Sequence, residues 1–232
     1  MLHVEQFRYG DNLGYLIFGK TEAMAIDGGA WPEILALLGS NKLTLKFVTN
    51  THQHYDHTSG NENLLLKTKA KFLNSSALAD NEEIIIDGES VVVYRTPGHT
   101  GDSVCFQTGN SLITGDTLFN ATVGNCFSGD QKSFYHSIKR LMALPDNTKI
   151  YAGHDYLRDS LAFARYLEPD NKYIDRFLSS YDSRHVYSTM ADERQINPYL
   201  RFNEDSIVNL LKEKNLPCAT EWERWKSLMS IE

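Results

Sequence analysis

Three histidines and an aspartate fall within six consecutive positions, His52-Gln53-His54-Tyr55-Asp56-His57, directly after the apolar run Leu45-Lys46-Phe47-Val48. A run of that length and composition predicts a strand, and a loop leaving a strand end is where side chains can converge from a rigid scaffold. Extended backbone puts His52, His54 and Asp56 on one side, with His57 turning away as a helix begins. Imidazole nitrogen and carboxylate oxygen are donors that zinc and iron accept, so the segment predicts a metal-binding loop. Whatever fold the chain adopts must hold this strand end at the lip of a site.

Other candidate ligands recur at other strand ends. They are His99 in Thr96-Pro97-Gly98-His99, Asp116 in Thr114-Gly115-Asp116 and His154 in Ala152-Gly153-His154, each preceded by a glycine that lets backbone approach a crowded centre. Up to about residue 157 the predicted strands are Leu13 to Phe18, Ala23 to Ile26, Leu45 to Thr49, Glu83 to Ile86, Val91 to Tyr94, Val104 to Gln107, Ser111 to Thr114 and Lys149 to Ala152. Helical spacing appears at Pro32 to Leu38 and again at Phe134, Ile138, Leu141 and Met142. Without strict βαβ alternation, this pattern predicts sheets with helices packed outside. After about residue 158 the texture becomes helical, with Leu161, Ala164, Tyr166 and Leu167 on one run, Ile207, Leu210 and Leu211 on another, and breaks at Pro169, Pro198 and Pro217.

Composition narrows the function classes. With 232 residues, 41% of them hydrophobic, the chain can fill a sizeable core. Its 23 Lys and Arg against 30 Asp and Glu leave a net charge of -7, so nothing draws it to a nucleic-acid backbone or an anionic membrane. Cys105, Cys126 and Cys218 make neither a disulfide framework nor a zinc knuckle; they fit a reducing compartment, with all three read as small buried apolar groups. No signal-like N-terminus and no run of roughly 18 apolar residues is present, which reads as a soluble, cytoplasmic protein, a monomer or weak homo-oligomer.

In order and spacing, His52-x-His54-x-Asp56-His57, His99, Asp116 and His154 resemble the metallo-beta-lactamase superfamily. The resemblance implies an αββα sandwich with two divalent metals at the sheet edges, zinc first, with iron or manganese as alternatives. His52, His54 and His99 would hold the first metal, Asp56, His57 and His154 the second, and Asp116 would bridge them, making Asp56 and Asp116 the carboxylates on which catalysis depends. Two divalent cations, two aspartates and a hydroxide leave about one net positive charge facing the substrate, which favours attack on a polarised carbonyl and an anionic leaving group. Water activated at such a centre is the nucleophile, so no serine or cysteine is required.

The C-terminal region is more specific. Leu161-Ala162-Phe163-Ala164, Leu167-Glu168-Pro169-Asp170-Asn171, Ser188-Thr189, Glu193 and Asn197-Pro198-Tyr199-Leu200-Arg201 resemble the glyoxalase II, or hydroxyacylglutathione hydrolase, branch. That resemblance implies a catalytic domain over residues 1–165, a small all-helical substrate-binding appendage over 166–232, and hydrolysis of an S-lactoylglutathione-type thioester to a hydroxy acid and glutathione by a metal-bound hydroxide. Substrate contacts are implied at Tyr156, Arg224 and Lys226. In the loop from Thr122 to Asp130 the family's basic residue and tyrosine are missing, which leaves Asn125 to hydrogen-bond and Phe127 to pack against the substrate. Two other readings stay open: a thioesterase with a non-glutathione substrate, and a mononuclear-iron persulfide dioxygenase, which the run from Ser128-Gly129-Asp130 to Ile138 also resembles. A purely structural zinc site closes with four ligands, fewer than the seven assembled here.

Overall fold

Side-chain alternation along the strands decides the layering. In the computed structural model, which describes residues 1–231 and leaves Glu232 at the end of the expected appendage outside the described residues, the N-terminal half forms a five-stranded sheet. Its order is β1 (His3–Tyr9), β2 (Asn12–Phe18), β3 (Glu22–Ile26), β4 (Thr44–Thr49) and β5 (Lys71–Leu73). The second sheet contains β6 (Glu83–Ile86), β7 (Glu89–Arg95), β8 (Val104–Thr108) and β9 (Ser111–Gly115). After a small hairpin of β10 (Leu118–Phe119) and β11 (Thr122–Val123), β12 (Lys149–Ala152) and β13 (Ser188–Thr189) complete it.

Leu13, Tyr15 and Ile17 of β2 and Met24 and Ile26 of β3 point inward, where they meet Val91, Val93, Val104, Phe106 and Ile113 from the second sheet. The intervening residues Leu16, Ala23 and Ala25 point outward, against α1 (Trp31–Asn41) through Ile34 and Leu38 and α3 (Asn61–Lys67) through Leu64. Between those helices, α2 (Tyr55–Thr58) is a single turn. On the far side Cys105, Leu112 and Ile150 face Phe134, Ile138 and Leu141 of α4 (Gln131–Met142). The result is helices, sheet, sheet, helices, the αββα sandwich expected.

Beyond β12 come α5 (Leu157–Leu167), α6 (Tyr173–Ser180), α7 (Met190–Ile196), α8 (Asp205–Glu213) and α9 (Glu221–Leu228). The three prolines fall between them, and capping boxes at Thr189 and Asp192 and at Thr220 and Glu223 start α7 and α9. Within this helical region two details depart from the sequence reading. Tyr166 is exposed beside the buried Leu161, Ala164 and Leu167, and within the helical region Ser188–Thr189 adds an edge strand to β12. Among the described residues no helix is long and apolar enough to cross a membrane.

Candidate metal centre

All seven candidate ligands meet at one rim of the sandwich, where β4 from one sheet and β9 and β12 from the other end. They fall into two groups whose donor atoms could each hold a cation: His52, His54, His99 and Asp116, and Asp56, His57 and His154. In the first, His54 Nδ1 lies 2.9 Å from His52 Nε2 and 3.1 Å from His99 Nε2. In the second, Asp56 Oδ2 lies 3.6 Å from His57 Nε2 and 3.3 Å from His154 Nε2. Asp116 faces both: its Oδ2 is 3.5 Å from His99 Nε2 and 3.5 Å from His154 Nε2, and its Oδ1 is 3.4 Å from His57 Nε2.

The local backbone explains the partition and corrects one expectation. His54 is extended at φ -70 and ψ 148, but it is the N-cap of α2, so Asp56 and His57 already lie in a helical turn. Asp56 therefore does not share an extended face with His52 and His54. The turn carries it across to His154, and His57 converges on Asp116 instead of turning away. Two glycines allow the crowding. A Cβ on Gly153 would collide with Asp116 Oδ1, and Gly115, at φ +50, leaves no room for one beside Thr51.

Supporting contacts fix three of the rings. Fully buried Asp27 places Oδ2 2.9 Å from His57 Nδ1 and accepts hydrogen bonds from the Thr51 backbone N–H at 2.8 Å and hydroxyl at 2.7 Å. Thr51 Oγ1 in turn sits 3.1 Å from His52 Nδ1, and the Asn125 carbonyl 2.9 Å from His99 Nδ1. Asn12 donates to Asp56 Oδ2 at 2.8 Å. No sequence motif marks Asp27 or Asn12 as part of the site. The available signal was an aspartate ending an apolar strand before Gly28-Gly29, where Asp27 adopts φ 51.

Charge is arranged for a cation. Burial opposes ionisation of Asp116, yet His57 and His154 hold its carboxyl well below the usual range. Burial also disfavours a charged His57, but in the metal-free site the Asp27 and Asp116 carboxylates favour its proton, raising it to about 11, so a cation at Nε2 would have to displace that proton while Nδ1 stays on Asp27. His52 is pushed down to about 4 by burial and by His57, and burial lowers His99 as well, so both are neutral imidazoles ready to coordinate. His57 Nε2 and Asp116 Oδ1 are buried with no hydrogen-bond partner. Orphaned donors and acceptors of this kind, converging among N and O ligands, fit a divalent metal.

The expected substrate residues are placed unevenly. Tyr156 stacks on His154 at 4.8 Å and 7°, and exposed Phe127 sits edge-on to His54 and His99 at 5.7 and 5.2 Å. Asn125 is exposed beside them. Arg224 instead directs its guanidinium to Asn203 Oδ1, at 2.9 and 2.7 Å, and to the Cys218 carbonyl at 3.1 Å. Lys226 lines a separate depression with Leu216, Pro217 and Trp222. Ser128 and Asp130 have local duties: Ser128 donates to the Gly98 carbonyl and Asp130 caps α4. Cys105 is fully buried and Cys126 partly so; all three cysteines are free.

Residues 10–81 and 78–154 match the sequence model of the metallo-beta-lactamase superfamily, and residues 155–230 match that of the hydroxyacylglutathione hydrolase C-terminus. The chain is 36% identical over 213 residues to hydroxyacylglutathione hydrolase 1 of Vibrio vulnificus, covering 84% of each chain. It is also 36% identical to the hydroxyacylglutathione hydrolase of Nitrosococcus oceani, over 87% of this chain and 86% of that one. Among solved structures, ETHE1 from Myxococcus xanthus aligns with a TM-score of 0.69 at 24% identity, over 97% of this chain and 99% of that one. BLEG-1 B3 metallo-beta-lactamase aligns at 0.65 and 20%, over 85% and 99%. These two structural likenesses establish the fold.

Proposed function

Because the chain belongs to the hydroxyacylglutathione hydrolases of the metallo-beta-lactamase superfamily, we propose that it cleaves an S-lactoylglutathione-type thioester to a hydroxy acid and free glutathione, using two metals. It is a metal-dependent thioester hydrolase. The observation that carries this reading is the position of Asp116, whose two oxygens face both ligand groups at once.

His52, His54 and His99 are the proposed ligands of one cation, Asp56, His57 and His154 of the other, with Asp116 between them and zinc the proposed ion. Divalent cations held by these residues would supply Lewis acidity toward the thioester carbonyl and would bring the pKa of water toward neutrality. Asp27 fixes the tautomer and ring plane of His57, and the Asn125 carbonyl does the same for His99. Asn12 holds the Asp56 carboxylate toward His154. Tyr156 beside His154 and Phe127 beside His54 and His99 offer apolar ring surface, and Asn125 a side-chain amide, to position the thioester. Lys226, exposed on α9, is the proposed partner for an outer carboxylate of glutathione, while Arg224 is engaged at Asn203.

The test is turnover of S-lactoylglutathione against a small uncharged thioester, with metal content measured on the same sample. Preference for the glutathione thioester at two metals per chain supports the reading. Equal turnover of both substrates would favour a broader thioesterase, and oxygen consumption with a persulfide at one iron per chain would favour a dioxygenase.

A further inference from the structure

His154 and Tyr156 flank Asp155, whose side chain is 7% exposed and takes no part in either ligand group. Its Oδ2 accepts a 2.6 Å hydrogen bond from the Arg8 guanidinium and another of 2.6 Å from the Tyr181 hydroxyl. Three separate parts of the chain meet at that oxygen. Arg8 belongs to β1, the outer strand of the first sheet; Asp155 follows β12 of the second; Tyr181 closes α6 in the helical region. Arg8 also donates to the Ser183 carbonyl at 2.9 Å, which fastens the same stretch of the helical region a second time.

A half-buried ion pair is a poor source of stability, because removing the charges from water offsets most of their attraction. Its effect here is better sought in position. The Asp155 backbone N–H donates to the Asp11 carbonyl at 3.1 Å, and His154 pairs with Asn12 as an isolated bridge, so the chain runs alongside β2 at this point. In such a segment alternate residues share a side. His154 and Tyr156, which stack on each other, lie on the side of the ligand groups, and the carboxylate between them anchors to Arg8 and Tyr181.

We propose that Asp155, Arg8 and Tyr181 form a tether through which the helical region sets the position of His154 and Tyr156, making Tyr181 and Arg8 positioning residues for one ligand group only. The first group depends on β4, the His99 loop and the Asn125 carbonyl, none of which the tether touches. The inference rests on the two-group reading of the metal centre, and the experiment separates the two.

Zinc is titrated into metal-free wild-type, Tyr181→Phe and Arg8→Gln proteins in competition with a chromophoric chelator, and thermal unfolding of the metal-free proteins is followed in parallel. Wild type should take up two equivalents. Each variant should bind one equivalent as wild type does and the other about tenfold more weakly, the size of loss typical for an outer-shell partner of a metal ligand. That selective loss, in either variant that retains cooperative unfolding, supports the tether. Two equivalents bound as in wild type, or both weakened alike, would overturn it while leaving the two-group reading intact. Failure of the wild type to take up two equivalents would overturn that reading and the tether with it.

Discussion

Asp27 and His57, thirty positions apart in sequence, are both completely buried and lie 2.9 Å apart through Oδ2 and Nδ1. The contact fixes which ring nitrogen of His57 is free to face Asp56 and Asp116. Asp27→Asn keeps the shape and removes the charge, and a carboxylate behind a ligand histidine typically contributes 10- to 100-fold in metal affinity. Zinc affinity of the Asp56, His57 and His154 group should fall by about that factor. Wild-type affinity in a chelator competition would show that Asp27 serves packing alone.

Asp116 and Asp56 should behave differently when truncated. Asp116 faces both groups, so Asp116→Ala should lose both metals and most of kcat, whereas Asp56→Ala should lose one equivalent and retain the other. Elemental analysis of the purified variants checks this. Two metals per chain in Asp116→Ala would remove its bridging role.

Glu193 gives a pH prediction remote from the ligands. It is completely buried on α7, accepts the Ala121 N–H and the Asn197 amide, and burial raises its carboxyl from 4.5 to about 7. The folded state therefore holds this proton more tightly than the unfolded state does. Its stabilising contribution is complete below about pH 4.5, declines as the pH rises, and is gone above pH 7, a change of up to about 3 kcal/mol. Glu193→Gln should remove that decline relative to wild type in denaturant unfolding between pH 4.5 and 7.5. Parallel pH profiles for the two proteins would contradict it.

Arg224 and Tyr156 should separate stability from binding. Arg224→Ala removes hydrogen bonds to Asn203 and to the Cys218 carbonyl, and at a partly exposed position should cost about 1 kcal/mol of stability with little change in KM. Tyr156→Ala removes a ring stacked on His154 and should raise KM for S-lactoylglutathione more than it lowers kcat. A KM effect confined to Arg224→Ala would reverse these roles and make Arg224 the glutathione anchor.

Those residues also show where the sequence was legible. His52, His54, His99, Asp116 and His154 could be read because each sits at the end of an apolar strand, where a polar residue stands out. Asp56 lies off the extended face that alternation predicts for it because the chain turns helical at His54, and one turn of helix has no apolar period to announce it. β1 escaped because His3, Glu5, Gln6 and Arg8 make it predominantly polar, as an outer strand with one sheet neighbour can be. β10, β11 and β13, two residues each, are too short for alternation to register. Asp27, Asp155 and Tyr181 act through contacts 24 to 30 residues away, or further, that no local pattern encodes.

Two ligand groups sharing Asp116 are proposed to act together on a glutathione thioester, and titrating zinc into the metal-free protein while following cleavage of S-lactoylglutathione tests this. Activity should be low through the first equivalent, rise with the second and plateau at two per chain. Full activity without metal, or at a single equivalent, would show that the two groups do not act together.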